Sequence, residues 1–160
     1  NPAGLKAIGY YLEKIQDSPK IGIIAGTGDR RDEDIIEFGM ISAQVFDQIM
    51  IRQDKHLRGR TAMEIVDLLI KGIRKINRKI PVEVILDEKE AITTTFNKAP
   101  KGSFITILCE TVPDGLEIVA KLKEKESKVK ILKADIPNLS QGFVIHSNNF
   151  VMIINPNGNK

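Results

Sequence analysis

The stretch KIGIIAGTGDRRDEDIIEFGMISAQVF, residues 20–46, contains the unit that decides the fold. Its first residues, Lys20–Ala25, form a short isoleucine-rich run, which is typical of a strand buried on both faces of a sheet. A loop with Gly26 and Gly28 follows at once, and a helical pattern begins at Asp32. This order predicts a strand that passes through a tight loop into a helix, which is the repeating unit of an α/β domain.

The same alternation of helices and strands continues outward on both sides of this unit. Helices are predicted to begin at Pro2, Thr61, Asp87 and Pro113, and strands to cover 49–51, 82–86, 104–108 and 129–132. Alternation over this length implies right-handed crossovers, a mostly parallel sheet and helices on both of its faces. We therefore predict a Rossmann-like, three-layer α/β domain.

The C-terminal part of the chain has a different pattern. Two apolar runs, Phe143–His146 and Phe150–Ile154, are separated by three polar residues and predict a β-hairpin at an edge of the sheet. We accordingly divide the chain into a domain of residues 1–135 and a C-terminal hairpin extension of residues 136–160 that packs on the same domain.

The composition predicts a soluble globular domain from a reducing compartment. Of the 160 residues, 42% are hydrophobic, and no apolar run approaches the roughly 20 residues that a membrane helix requires. The single cysteine, Cys109, ends a predicted strand and has no disulfide partner, so we expect core packing and a cytoplasmic location. His56 and His146 lack metal-ligand spacing, so we predict no metal site. Because the chain begins at Asn1 rather than methionine, we expect a fragment of a longer protein.

The net charge of +3 is concentrated in one loop. Residues 52–60, RQDKHLRGR, contain four basic residues and one acidic residue, which equals the whole net charge. In parallel sheets ligands bind outside the carboxyl ends of the strands, and this loop follows a predicted strand, as do residues 26–32 and 109–113. Guanidinium groups there can grip phosphate or carboxylate in a bidentate way. The alternative is a solvated basic loop, and a charge this small gives no reason to expect nucleic acid as a partner.

Residues 26–34, GTGDRRDED, open a helix, where free backbone N–H groups attract anions. The segment is not a dinucleotide fingerprint, because the third glycine would fall at Arg31. The acids of residues 32–34 have the alternative role of complementing the helix N-terminus, whereas the adjacent guanidiniums of Arg30 and Arg31 are harder to explain as caps. A P-loop motif is absent, so this segment cannot cradle a triphosphate by itself.

Three segments carry a resemblance to a known family. Residues 1–4, NPAG, resemble the end of a D-Y-A-H-N-P-A-G motif, and residues 28–35, GDRRDEDI, resemble a form of the Mur-type G-D-R-D loop. Residues 52–60 resemble I-R-E-D-x-x-L-R-G-R, at the place where muramyl-peptide ligases hold the incoming amino acid. Together these segments resemble cyanophycin synthetases, in the Mur ligase superfamily, over roughly residues 1–132. The S-G-K-G-H-E segment of some muramyl-peptide ligases is absent at residues 108–113, which favours cyanophycin synthetase.

The resemblance implies that the chain is the C-terminal domain of an ATP-dependent amino-acid ligase. In such enzymes one half adds aspartate, and a Mur-like half adds arginine to the aspartate β-carboxyl of the polymer. A central P-loop ATPase domain of the same full-length chain would hold ATP and Mg²⁺, and this domain would close over the acyl phosphate. The resemblance further implies that the full enzyme is a homo-oligomer. The isolated domain would be inactive, without catalytic residues of its own and without a bound cofactor.

Eight residues are candidates for nucleotide or substrate binding: Asn1, Asp29, Arg30, Arg31, Asp32, Arg52, Asp54 and Arg58. Our hypothesis is that the arginines at 30, 31 and 58 face anions of the nucleotide or the growing chain. The aspartates at 29, 32 and 54 would orient the arginine substrate or the cationic polymer. Two alternatives stay open: a non-catalytic Rossmann-like module that binds a nucleotide or anion, and a ligase of the muramyl or folylpolyglutamate type.

Overall fold

The computed structural model describes residues 2–124, 130–133, 142–146 and 150–154. Its helices and strands alternate along the chain as the sequence predicts, and most boundaries agree within two residues. The helices are α1 (Pro2–Leu12), α2 (Asp32–Val45), α3 (Ala62–Ile76), α4 (Glu88–Lys98) and α5 (Val112–Glu124). The strands are β1 (Lys20–Ile24), β2 (Gln48–Ile51), β3 (Val82–Val84), β4 (Phe104–Leu108), β5 (Lys130–Lys133), β6 (Gly142–His146) and β7 (Phe150–Ile154).

The strands form one sheet in the order β3-β2-β1-β4-β7-β6-β5. The first four strands in this order, β3, β2, β1 and β4, are parallel. In β1, Ile24 lies beside Ile51 of β2, and Ile23 lies beside Ile107 of β4. Parallel pairing places the carboxyl ends of these strands at one edge of the sheet, so the loops that follow β1, β2 and β4 share a rim. We call this edge the rim.

The C-terminal hairpin is confirmed, because β6 and β7 pair antiparallel, but its predicted position at the sheet edge is wrong. Strand β7 pairs parallel with β4 along its whole length, and β6 pairs antiparallel with β5, which is itself the edge strand. The sequence of β7, FVMII, is a continuous apolar run, which suits a strand inside a sheet better than one at its edge. The predicted boundary between residues 135 and 136 lies outside the described residues.

Two apolar layers flank the sheet, which confirms the three-layer architecture. One layer packs α1, α2 and α3 on the sheet through residues such as Leu5, Phe38 and Leu69. The opposite layer packs α4 and α5 through residues such as Ile92 and Val119. Within the described part of the chain, no helix is both long and apolar enough to span a bilayer.

The helices that border the rim begin where their capping signals predict. Thr61 and Glu64 form the predicted capping box of α3, in which each residue accepts a hydrogen bond from the backbone of the other. The Asp87 side chain caps α4 by accepting a hydrogen bond from the Glu90 N–H at 2.8 Å. These caps fix the point at which each rim loop ends and its helix starts.

Candidate functional site

The loops after β1 and β2 are in direct contact at the rim. A Cβ atom at Gly28 would lie 1.9 Å from the backbone oxygen of Leu57, so only glycine fits there. Arg60 crosses between the loops, and its guanidinium donates to the carbonyl oxygens of Gly28 and Arg30, each at 3.0 Å. It also forms an ion pair with Asp32 at 2.7 Å. Two of the three segments that carry the family resemblance, residues 28–35 and 52–60, are therefore joined into one surface.

Arg60 was not among the predicted site residues. The sequence placed it in the basic loop, but nothing local distinguished it from its neighbours. Its role follows from the carbonyl groups of residues 28 and 30, which come within reach only when β1 and β2 lie side by side.

Arg58 and Asp29 form an exposed ion pair on this surface. The guanidinium Nη1 lies 2.6 Å from the carboxylate Oδ2, and the side chains are 50% and 45% exposed. The hydrogen bond from Arg58 lowers the pKa of Asp29 below its ordinary value. Arg58 has a positive φ of 49°, a conformation that is uncommon for residues other than glycine and recurs at functional sites. Both groups are accessible to a ligand.

Arg31 has a local structural role. It occupies the N-cap position of α2, and its guanidinium donates to both carboxylate oxygens of Asp34, at 3.0 and 2.8 Å. The acids at residues 32–34 lie in the first turn of α2, where the helix dipole favours negative charge. Arg30 forms no ion pair with any of the residues that the structure describes. It is exposed and lines a small pocket of about 230 Å³ with Thr27.

Arg52 is buried. The alternative interpretation of residues 52–60 as a solvated basic loop is therefore wrong for the first residue of that loop. Arg52 is 2% exposed, and its guanidinium donates to the Leu108 carbonyl oxygen at 2.6 Å. It also pairs with the carboxylates of Asp54 and Glu88, the latter at 3.2 Å. These contacts join β2 to β4 and α4. We call the buried Arg52 and its partly buried partners Asp54 and Glu88 the buried triad.

Glu88 is a member of this triad that the sequence did not indicate. Burial raises the pKa of Glu88, and the charge of Arg52 opposes that shift. Its carboxylate also accepts a long hydrogen bond, 3.4 Å, from the backbone N–H of Glu110 after β4. The only indication of this role in the sequence was that residue 88 lies at the start of a helix, and that helix packs on the face of the sheet opposite α2 and α3.

A larger cleft opens from the rim between α4 and α5. Its volume is about 950 Å³, and Gln53 and Leu86 lie in its wall with several carboxylates. Cys109 packs in the core beside this region, which confirms its predicted role, and burial raises the pKa of its thiol to about 12. In the described residues, no group of three or more His, Cys, Asp or Glu side chains could hold a metal ion.

The predicted site residues fall on two parts of the same rim. Asp29, Arg30, Arg31, Asp32 and Arg58 cluster around the contact between the β1 and β2 loops. Arg52 and Asp54 belong to the buried triad beside the cleft, and Asn1 lies outside the described residues.

Comparison with known proteins finds relatives that match about three quarters of this chain. The chain is 41% identical over 119 residues to cyanophycin synthetase of Crocosphaera subtropica, and 38% over 123 residues to that of Synechocystis. It is 40% identical over 121 residues to cyanophycin synthetase of Geminocystis herdmanii. The chain matches a domain-sized part of cyanophycin synthetases. These matches confirm the predicted resemblance to cyanophycin synthetase.

The matched segments cover 74%, 77% and 76% of this chain but only 14% of each cyanophycin synthetase. No protein-family model matches the chain. Two crystal structures of E. coli MccB, one with ATP and one with selenomethionine MccA, are similar in fold, with TM-scores of 0.41 and 0.40 and 10% and 12% identity. They cover 95% and 92% of this chain, and 45% and 43% of the MccB chains.

Proposed function

We propose that this chain is the C-terminal domain of an ATP-dependent carboxylate-amine ligase of the cyanophycin synthetase type. It would close over the site where arginine is joined to the aspartate β-carboxyl of the polymer. The observation that supports the proposal is the contact between residues 28–35 and 52–60, two of the three segments that carry the family resemblance. Arg60 and the tight approach of Gly28 to Leu57 hold them as one charged surface at the ligand-binding edge of the sheet.

This surface fits one wall of a nucleotide site rather than a whole one. The pocket beside Thr27 and Arg30 is about 230 Å³, below the roughly 300 to 1,000 Å³ of pockets that enclose a small ligand. The sequence has no P-loop to cradle phosphates. ATP and Mg²⁺ would therefore be held by a central P-loop domain of the same full-length chain, which is the partner we propose. We expect the full enzyme to be a homo-oligomer.

Arg30 and Arg58 are the guanidiniums that can act on such a ligand. Both are exposed, and Arg52 lies in the interior. Arg31 is exposed too, but its guanidinium is held by both carboxylate oxygens of Asp34, whereas Arg58 donates one hydrogen bond to Asp29. The Arg58–Asp29 pair faces solvent, where ion pairs are weak. An anionic substrate can therefore replace the aspartate at little cost. A guanidinium released in this way would face the negative charge that develops as the acyl phosphate forms.

The aspartates at the rim would contribute to substrate binding by orienting neighbouring groups. Asp29 and Asp32 each hold an arginine of the β2 loop, so they orient the cationic groups of the rim. Asp54 lies between the buried triad and the cleft, and it orients the loop in which it lies. The chain supplies no general base or nucleophile in this proposal, so we expect the isolated domain to be inactive.

The test is arginine addition by the full-length enzyme. We expect Arg58→Ala to lower the rate of arginine addition by about a hundred- to a thousandfold, the usual cost of removing one donor from developing charge. Asp54→Ala should lower it to a similar extent, and aspartate addition should stay largely intact in both. Arg78→Ala, which removes an exposed arginine after α3, is the matched control. Normal arginine addition in both Arg58→Ala and Asp54→Ala would refute the proposal.

A further inference from the structure

Strand β3 lies at one end of the sheet, and its outer side has no neighbour among the strands that the structure describes. Its inner side pairs with β2, to which it donates, for example, from the Ile85 N–H to the Ile51 carbonyl oxygen at 2.9 Å. The backbone groups of successive residues in a strand point to opposite sides, so the N–H and C=O groups of Val82 and Val84 point away from β2. This outer side, which we call the β3 edge, can accept a further strand.

The β3 edge lacks the side chains that usually prevent such pairing. Edge strands of soluble proteins are commonly protected by lysine, proline or an unpaired charge. Residues 82–86, VEVIL, contain one charged residue, Glu83, and it is already paired with Lys98 of α4 at 2.7 Å. Val84 and Leu86 are 37% and 43% exposed. The edge is therefore apolar and open on its outer side.

Helix α3, which precedes β3, adds apolar surface next to this edge. It contacts α2 through Gly72, where a Cβ atom would lie 2.1 Å from the Ile36 oxygen. Met63 and Ile70 precede Gly72 by nine and two positions, so helical periodicity places them on the side of α3 away from α2. Strands β1, β2 and β3 follow one another in the sheet, so that side of α3 borders the β3 edge. Most of the large hydrophobic side chains that are exposed within the described residues belong to these two segments: Met63, Ile76, Val84 and Leu86.

The two ends of the β3 edge carry opposite charge. Residues 74–79, RKINRK, precede β3 and contain four basic residues and no acidic one, whereas residues 87–90, DEKE, follow it and contain three acidic residues. Arg78, Lys79 and Glu90 are exposed and form no ion pair within the described part of the chain. A second copy that runs antiparallel along this edge would set its basic end against the acidic end of the first copy. Symmetry would repeat that contact at the other end.

We propose that the β3 edge pairs antiparallel with the β3 edge of a second copy of this chain, so that one sheet continues across a two-fold axis. An axis at Glu83 would place like charges opposite each other, which is unfavourable. An axis at Val84 instead pairs Val84 with its own copy, Val82 with Leu86, and Glu83 with Ile85. Each copy then contributes the same patch, as a closed symmetric dimer requires.

The inference rests on the proposed function only for the expectation that the full enzyme is a homo-oligomer, to which it assigns a surface. Its failure and the failure of the proposed function are measured separately. If the chain dimerises through the β3 edge but Arg58→Ala leaves arginine addition intact, only the proposed function fails. If Arg58→Ala abolishes addition but the chain does not dimerise, only the assignment of the edge fails.

The first test is sedimentation of the 160-residue chain without substrate. We expect a dimer with a dissociation constant of about 1 to 100 μM, because the paired edge is short. Val84→Lys places a charge at the centre of the interface and should raise the dissociation constant at least tenfold. The Val84 side chain is exposed, so circular dichroism should show that this variant remains folded. Tyr10→Lys is the matched control, since Tyr10 is 70% exposed on α1, and this variant should dimerise like the parent chain.

The second test exchanges the charges at the two ends of the edge. Arg78→Glu and Glu90→Arg should each weaken the dimer, and the two changes in one chain should restore it, because the antiparallel arrangement sets one end against the other. A parent chain that is monomeric at about 200 μM, a Val84→Lys variant that dimerises like the parent, or a double variant weaker than both single variants would each overturn the inference. So would slow hydrogen exchange of the Val84 N–H in the full-length enzyme with a monomeric parent chain, which would show that another domain covers the edge.

Discussion

Arg52 and Arg58 lie six positions apart in one loop and each pairs with an aspartate, yet they belong to different environments. Arg52 is 2% exposed and makes contacts to β4 and α4. The Arg58 side chain is 50% exposed and contacts Asp29 of the neighbouring loop. The loop therefore has a buried end, which organises the fold, and an exposed end, which is available to a ligand.

The difference shows that a concentration of charge is not by itself a binding surface. A buried guanidinium loses its hydration, so its stability depends on every hydrogen-bond and ion-pair partner around it. Arg52 therefore holds its carboxylates in place and cannot leave them to bind a substrate. An exposed pair is screened by solvent and exchanges its partner easily. The following predictions test this contrast, from the largest expected effect to the smallest.

Arg52→Met should destabilise the chain most. Methionine fills much of the volume, but it leaves Asp54 and Glu88 partly buried without their cation. Breaking a fully buried pair on one side costs about 3 to 5 kcal/mol, which sets the upper limit of the expected loss. Urea unfolding followed by circular dichroism gives the free energy of unfolding. A loss below about 1 kcal/mol, the range of surface pairs, would show that the buried end behaves like the exposed one.

Gly28→Ala should have the next largest effect. The added Cβ would lie 1.9 Å from the Leu57 oxygen, so the two loops must separate, and overpacking of this kind costs about 1 to 3 kcal/mol. The control is Gly4→Ala in α1, where a Cβ meets nothing within 4 Å. Because alanine favours helix over glycine by about 1 kcal/mol, that variant should be neutral or more stable. Equal stability of the two variants would contradict the loop contact.

Much of the fold could be predicted because it depends on local signals. Isoleucine-rich runs placed the central strands, and the Thr61–Glu64 pair marked the start of α3. The buried face of α2 was harder to predict, because Ile35 and Phe38 are buried while Ile36 and Met40 of the same helix are only partly buried. Helices flank α2 on two sides, so its buried stripe is wider than periodicity alone indicates.

The site was only partly predictable because burial depends on distant residues. The rim itself followed from the order of strands, and so did the grouping of the charged loops. Nothing within residues 52–60 indicates that Arg52 is buried and Arg58 is exposed. The groups that bury Arg52 are Glu88 and the carbonyl of Leu108, and Leu108 lies 56 positions away in the chain. The acidic cleft was missed because its carboxylates come from separate loops and helices.

Glu88→Gln should change how stability depends on pH. Burial raises the pKa of Glu88 above its ordinary value of 4.5, so the folded state binds this proton more readily than the unfolded state. The stability that the group contributes is therefore fully present below pH 4.5 and is lost as the pH rises through the folded-state pKa. The stability of the parent chain relative to Glu88→Gln should fall over that window. A difference in stability between the two chains that does not change with pH over that window would contradict the prediction.

Arg58→Ala should have the smallest effect on stability, and this separates the two ends of the loop most sharply. The hydrogen bond from Arg58 lowers the pKa of Asp29, so the contribution of the pair to stability is fully present above the ordinary value of 3.8 and is lost as the pH falls through the folded-state pKa. Because both side chains are about half exposed, solvent screens the pair and the urea midpoint should not move measurably.

The same variant should still alter the Asp29 carboxyl, whose pKa should rise toward 3.8 in an NMR titration. A shifted titration with an unchanged urea midpoint is what an exchangeable pair requires, because the bond exists but the fold does not depend on it. If Arg58→Ala instead lost as much stability as Arg52→Met, both ends of the loop would be structural. The loss of arginine addition in that variant would then report unfolding rather than a missing donor.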